Sequence, residues 1–329
     1  MDNTKNKDQG SSSDIDISNI IRKEEGQEKS NRITSAPGFL QIGDIGITYN
    51  ELLALLANFS QRPNENIFAA LIKGPTGTGK TLLVRHIDYT LNTTTNKLGN
   101  PELFIAQCNQ SADFHDLFGH DTLTVKNGVQ VVEFVPGPIS EAIMSSNKNK
   151  VAMLLLDEIN ALLPENQKLL NSLLDGRGFI KFGERSYQVE NGSKLIIFAT
   201  MNPMGYRYDG ISTINADLER RFSYTFTVGY PTPKEEEEIV KKITNSTAID
   251  VIQKAIKLAN HTRNKEWDDL PITTSEIIAF VNAADTFNKA FSDNWKSKAM
   301  LEAFKITIAN HYDDTRDSLI EKAKDLGLL

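Results

Sequence analysis

Short, continuous aliphatic runs recur through the middle of the chain, at 68–72, 103–106, 151–156 and 195–200. They do not alternate with polar residues, so each suits a strand buried on both faces. Between them lie stretches long enough for helices, such as 81–91 and 165–174. That alternation predicts a mostly parallel sheet covered by helices on either side, an αβα sandwich of the α/β class.

After Tyr230-Pro-Thr-Pro233 the pattern changes to helical periodicity. Lys234-Glu-Glu-Glu-Glu-Ile-Val follows, and proline with acids in a first turn suits a helix start. Further helices are predicted over 248–261, 273–291 and 294–326. No strand pattern interrupts them, so residues 230–329 read as an all-helical domain behind a domain spanning 33–229. Residues 1–32 are rich in Ser, Asn, Asp, Glu and Lys, with an apolar patch at Ile15, Ile17, Ile20 and Ile21. Such a segment buries too little surface to offset its ordering entropy and is predicted to be a disordered tail.

Composition narrows the classes. With 329 residues, 40% hydrophobic and 24% charged, the chain has the make-up of a globular protein. The formal charge of -7 provides no general pull toward nucleic acid or anionic lipid. Cys108 is the one cysteine, so no intrachain disulfide forms. No apolar run approaches the roughly 20 residues of a membrane span, and the N-terminus lacks the apolar core of a secretory signal. The cytoplasm is the expected location.

Gly74-Pro75-Thr76-Gly77-Thr78-Gly79-Lys80-Thr81 matches G-x-x-x-x-G-K-[ST], placed after a predicted buried strand and before a predicted helix. Its glycines let consecutive N–H groups point into one concavity, an anion cradle at a helix N-terminus. Lys80 is then expected to neutralise phosphate oxygens and the Thr81 hydroxyl to ligate Mg²⁺. The run Met153-Leu-Leu-Leu-Asp157-Glu158 brings two acids to a strand's C-terminal end, where open α/β sheets bind ligands. There Asp157 suits the Mg²⁺ shell and Glu158 the activation of a water. Phe198-Ala-Thr-Met-Asn202-Pro ends a third strand in a polar residue, able to bond water or γ-phosphate, or else to cap the next turn. Asn215-Ala-Asp-Leu-Glu-Arg220-Arg221-Phe222 pairs two arginines, read as a solvated helix end or as fingers acting across a subunit boundary.

In this order, with a helical domain following, these elements resemble an AAA+ ATPase over about residues 40 to 310. Three features are similar to the MoxR and CbbQ/NorQ groups, related to the dynein-type AAA modules. They are Asp157-Glu-Ile-Asn160 with its Leu-rich helix, a β-insertion at Gly178 to Tyr187, and an insertion between Asp116-Leu-Phe-Gly119 and Phe134-Val-Pro-Gly-Pro138 that interrupts the second helix. The resemblance implies a P-loop NTPase core with a helical lid, and ATP and Mg²⁺ as cofactors. It also implies a ring, usually hexameric, that remodels a client protein, often with a von Willebrand A domain partner. Of the two arginines, Arg221 directly precedes Phe222 as in the family box. One departure stands out: where family members carry a lid arginine, this chain has Leu270-Pro-Ile-Thr-Thr-Ser-Glu276, with Arg263 as a substitute candidate. The alternative reading is a nucleic-acid-directed NTPase of the McrB type. Against it stands Met-Asn-Pro-Met-Gly-Tyr, where that group has Asn-Thr-x-Asp. Phe134, Tyr206, Tyr208 and Trp267 are candidates for a pore or pocket as well as for ordinary packing.

Overall fold

The computed structural model describes residues 39–126, 129–202, 214–264, 267, 269–290, 296–312 and 314–329. The tail predicted over 1–32, and Tyr206 and Tyr208, lie outside the described residues. The first half contains α1 (Gly43–Ser60), β1 (Ile67–Lys73), α2 (Lys80–Thr93), β2 (Leu103–Gln107), α3 (Phe114–Phe118), β3 (Gly119–Lys126), β4 (Val129–Pro136), α4 (Pro138–Asn149) and β5 (Val151–Asp157). It continues through α5 (Pro164–Leu169), α6 (Asn171–Leu174), β6 (Phe179–Phe182), β7 (Arg185–Gln188), β8 (Lys194–Met201), α7 (Ala216–Glu219) and β9 (Tyr224–Thr227). A helical region follows, with α8 (Pro233–Thr244), α9 (Ile249–Thr262), α10 (Thr274–Ala290), α11 (Lys296–Thr307) and α12 (Arg316–Asp325).

The sheet runs β2-β5-β8-β1-β9, every pair parallel. All four predicted strands are in it, and their side chains explain why the runs are continuously apolar. Ala69, Leu71, Leu154, Leu156 and Ile197 face one core, under α3 and α4; Phe68, Ala70, Ile72, Met153, Leu155, Ile196 and Phe198 face the other, under α1 and α2. A strand buried on both faces has no place for a polar alternation. Edge strand β9, Tyr-Thr-Phe-Thr, does alternate, with its threonines exposed.

Both insertions are antiparallel hairpins, β3–β4 and β6–β7. Arg185 locks them together: its Nη2 is 2.5 Å from Asp121 Oδ1 and its guanidinium lies 4.2 Å above the Phe134 ring. Phe134 also packs beside Phe118 and Tyr187, so among the described residues it serves the joint between hairpins. Cys108 is a small buried residue of the same core.

Two predicted helices are broken. The stretch 165–174 divides at Leu170, whose amide bonds the i−3 carbonyl of Gln167 at 3.2 Å. Just before the break the buried Gln167 side chain donates to Leu162 O at 2.9 Å and accepts from the Asn215 amide at 2.7 Å. The stretch 294–326 becomes α11, a 3₁₀ turn at Ala309–His311 and α12, which brings Ile308, Ala309 and Tyr312 into the helical core.

That core gathers Val240, Ile256, Phe280, Phe304 and Leu319. Beside it, fully buried Glu236 holds Arg263 through two 2.8 Å bonds and accepts the Thr274 hydroxyl at 2.6 Å. Removing one member of a buried pair strands the other charge. Glu236→Ala should therefore cost about 3–5 kcal/mol, read from the shift in a denaturant midpoint; a loss below about 1 kcal/mol, the range of exposed pairs, would refute a structural role.

Candidate functional site

The loop after β1 turns through Gly77 (φ +77) and Gly79 (φ +90), left-handed backbone that a side chain would strain. Gly79 is the N-cap of α2, and no atom lies within 4 Å of where its Cβ would be. An anion could therefore approach the first amides of the helix. Lys80 Nζ donates to Gly74 O and Pro75 O at 2.8 Å and to Asn202 Oδ1 at 2.9 Å. Burial pushes its pKa down to about 8, against the opposing pull of Asp157 and Glu158. A phosphate at this point would return the favourable charge that burial removes.

Asp157 ends β5 and Asn202 follows β8, the adjacent strand, so both come to the same sheet edge as the loop. Thr81 Oγ1 donates to Asp157, 2.9 Å from Oδ1 and 3.2 Å from Oδ2. A hydroxyl beside a carboxylate is a hard-oxygen pair of the kind that suits Mg²⁺. Glu158 is exposed and takes up left-handed backbone (φ +59), which turns its side chain away from the direction of the strand. Its Oε1 accepts from Asn202 Nδ2 at 3.2 Å, so one amide spans the gap between Lys80 and Glu158. Asn160 Nδ2 in turn holds Asn202 O at 3.0 Å.

Thr200 belongs to this group, although the sequence reading did not single it out. Its hydroxyl donates to Asp157 Oδ1 at 2.6 Å and accepts the Glu158 amide at 2.9 Å. The available signal was its spacing: near the end of β8 it lies two residues before Asn202, which follows the strand, and extended backbone puts i and i+2 on one face.

The arginine box forms α7 with Asn215 as N-cap, its side chain accepting from Asp217 N at 3.0 Å. Leu218 and Phe222 are buried and anchor the turn, while Arg220 and Arg221 are exposed. The lid contact also resolves. Arg263 is held by Glu236, and Glu276 in the first turn of α10 accepts from Thr273 and lies 2.9 Å from His311 Nδ1. A carboxylate, not a guanidinium, stands at the start of that helix.

A phosphate cradle after the first strand, an acid pair after its second neighbour and a polar strand end between them define a P-loop nucleotide-binding fold with a helical region behind it. Residues 69–222 match the AAA domain (dynein-related subfamily). At 26% identity the chain is similar to the aerobic cobaltochelatase subunit CobS of a Sinorhizobium species, over 93% of this chain and 91% of that one. It is 26% identical to NorQ of Paracoccus denitrificans, over 83% and 90% of the two chains. An uncharacterized protein of Staphylococcus saprophyticus is 29% identical over 61% of this chain and 69% of its own. Among solved structures, a RuvB mutant from Thermotoga maritima aligns with a TM-score of 0.49 at 15% identity, over 84% of this chain and 73% of that one. Residues 69–222 thus carry a domain similar to the dynein-related AAA modules, and over most of its length the chain is similar to CobS and NorQ.

Thr200→Val keeps the shape but leaves the Glu158 amide unpaired and Asp157 short of a donor. Turnover should fall at least about tenfold, within the 10²–10⁴ that a positioned proton acceptor supplies, while nucleotide affinity stays near normal and Thr200→Ser restores rate. Steady-state kinetics with a binding titration check this; unaltered kcat in Thr200→Val would dismiss the role.

Proposed function

We propose that the chain is an ATP-hydrolysing AAA+ protein-remodelling ATPase, a MoxR/CbbQ-like chaperone or activase, working as a homo-oligomeric ring, hexameric by family resemblance, on a client protein. The observation that carries the reading is the continuous bonded path Thr81–Asp157–Thr200–Glu158–Asn202–Lys80. It brings the cation for phosphate, the oxygens for metal and the proton acceptor for water to one edge of one sheet.

In this reading Gly74 to Thr81 enclose the β-phosphate of ATP, with Lys80 on the β- and γ-oxygens. Thr81 and Asp157 would hold Mg²⁺, which when bound neutralises charge across those oxygens. Glu158 orients the attacking water and accepts its proton, and Asn202 keeps Glu158 and Lys80 at a fixed separation. Arg220 or Arg221, with Arg221 favoured by its place before Phe222, reaches the γ-phosphate of a neighbouring subunit. Head-to-tail assembly is what such a contact requires, and a closed head-to-tail assembly is a ring. We assign 33–229 to the nucleotide-binding domain, 230–329 to the lid and 1–32 to a tail. Among the described residues no helix is long and apolar enough to cross a membrane, and we place the protein in the cytoplasm. CobS is by its name a subunit of a larger enzyme, which supports action on a partner protein; a von Willebrand A domain protein is the partner class we favour.

Lys80→Ala should abolish nucleotide binding, whereas Glu158→Gln should bind ATP without turning it over, since one removes ground-state charge pairing and the other water activation. Glu158→Gln hydrolysing at the normal rate would overturn the assignment. Comparing ATP with GTP, with and without DNA, separates this reading from a nucleic-acid motor.

Arg221→Ala alone should lose on the order of 10³–10⁵ in rate, as arginine fingers do. Mixed with an excess of Lys80→Ala protein it should regain hydrolysis, because an intact arginine then meets an intact P-loop. Full activity of both pure Arg220→Ala and Arg221→Ala proteins would remove the finger.

A further inference from the structure

Three successive carbonyls of the phosphate loop each have a donor, and one of those donors comes from outside the motif. Lys80 Nζ holds Gly74 O and Pro75 O, and the Thr78 hydroxyl donates to Pro75 O at 2.9 Å. The next carbonyl, Thr76 O, accepts at 2.9 Å from the hydroxyl of Tyr230, 154 residues further along the chain. A trans peptide is planar, so its C=O and N–H point in opposite directions. Turning Thr76 O toward Tyr230 therefore aims the Gly77 amide the other way, and no acceptor among the described residues takes that amide. In a loop that cradles phosphate, an amide with no protein acceptor is a donor reserved for the ligand.

The anchor of that hydroxyl is firm. Val228 N donates to Lys73 O at 2.8 Å, Gly74 packs so closely that a Cβ there would lie 2.3 Å from Val228 O, and Gly229 N donates to Asp44 Oδ2 at 3.1 Å. The chain therefore arrives at Tyr230 pinned to the strand on which the loop begins. Over the Tyr230 ring lies the Arg263 guanidinium, 3.9 Å from the centroid, and Arg263 is held in turn by fully buried Glu236. Arg263 Nε also donates to Ile272 O at 3.1 Å, next to Thr273, against which Gly77 is packed. One guanidinium thus stands behind both contacts on the peptide between Thr76 and Gly77. The Tyr230 hydrogen bond is exposed, and water could replace it as a donor but without a fixed direction. A clamped phenol supplies the direction.

We propose that Tyr230 is a positioning residue for nucleotide binding: its hydroxyl, clamped through Arg263, fixes the peptide between Thr76 and Gly77 so that the Gly77 amide meets a phosphate oxygen of ATP. The proposal rests on the nucleotide-binding reading above. Tyr230 itself touches no phosphate. The amide it orients serves the ground state and the transition state alike, which is uniform binding.

The test uses the full chain and ATP with Mg²⁺. Tyr230→Phe removes the hydroxyl and keeps the ring beneath Arg263. It should raise KM for ATP about three- to tenfold, the range of one net hydrogen bond. Binding of a fluorescent ATP analogue should weaken by the same factor, with kcat kept within about twofold. The nucleotide-free thermal midpoint should stay within about 2 °C, because water can take the place of an exposed hydroxyl. A merely structural tyrosine gives the reverse, a lowered midpoint with KM unmoved. Arg263→Lys keeps a cation for Glu236 and loses the planar fork over the ring. It should raise KM as well, and adding Tyr230→Phe to it should raise KM no further. Unchanged KM and affinity in Tyr230→Phe while Lys80→Ala fails to bind, or losses that multiply in the double variant, would overturn the proposal and leave the nucleotide site standing. If Lys80→Ala binds normally, the nucleotide-binding reading falls and the proposal with it.

Discussion

Everything at the nucleotide edge of this protein depends on burying polar groups without leaving them unpaired. Lys80 at the start of α2, Asp157, Thr200 and Asn202 at the strand ends and Asn160 just beyond are all buried, where an unbonded amide or hydroxyl costs several kcal/mol and an isolated charge far more. The chain meets that constraint by making them one another's partners. Asp157 receives hydroxyls from Thr81 and Thr200, and Asn202 takes up Lys80 while donating to Glu158. A ligand entering here exchanges existing bonds rather than creating a site from disordered groups, so most of the reorganisation needed for chemistry is already complete.

The same constraint reaches the helical region. Tyr230 donates its hydroxyl to Thr76 O at 2.9 Å, and the Arg263 guanidinium lies 3.9 Å above the Tyr230 ring. Arg263 is in turn fixed by Glu236 inside the helical core. The loop before α10 comes equally close, since a Cβ on Gly77 would lie 2.5 Å from Thr273 Cβ. The phosphate loop is therefore in contact with the helices at two places, one through an aromatic hydroxyl and one through close packing. Both contacts tie the loop to the helical region without an arginine at the start of α10.

The strands of the sheet, the cradle at Gly74 to Thr81, the acids at Asp157 and Glu158 and the helical character of the C-terminal region were all legible in sequence, because each rests on local information. A strand buried on both faces must be continuously apolar, and a phosphate loop must place glycine, lysine and a hydroxyl at fixed spacing. The breaks at Leu170 and at Ala309–His311 were not legible. Helical periodicity continues through both, and beside each break lies a contact with a partner distant in the chain: the Asn215 amide on Gln167, and the helical core around Tyr312.

The side chains argue the same division. Sequence by itself determined which polar residues stand at which strand ends, since that follows from composition and period. Only the tertiary structure decided that Thr200 binds both acids of the pair, that Arg263 is committed to Glu236, and that Asp175 holds Arg177 and approaches Arg221. Apart from Asp175 with Arg177, which are two positions apart, those contacts join residues 27 to 46 positions apart in the chain. Their partners are selected by the order β2-β5-β8-β1-β9, by the packing of α6 on α7 and by that of α8 on α9, none of which is written in any local pattern.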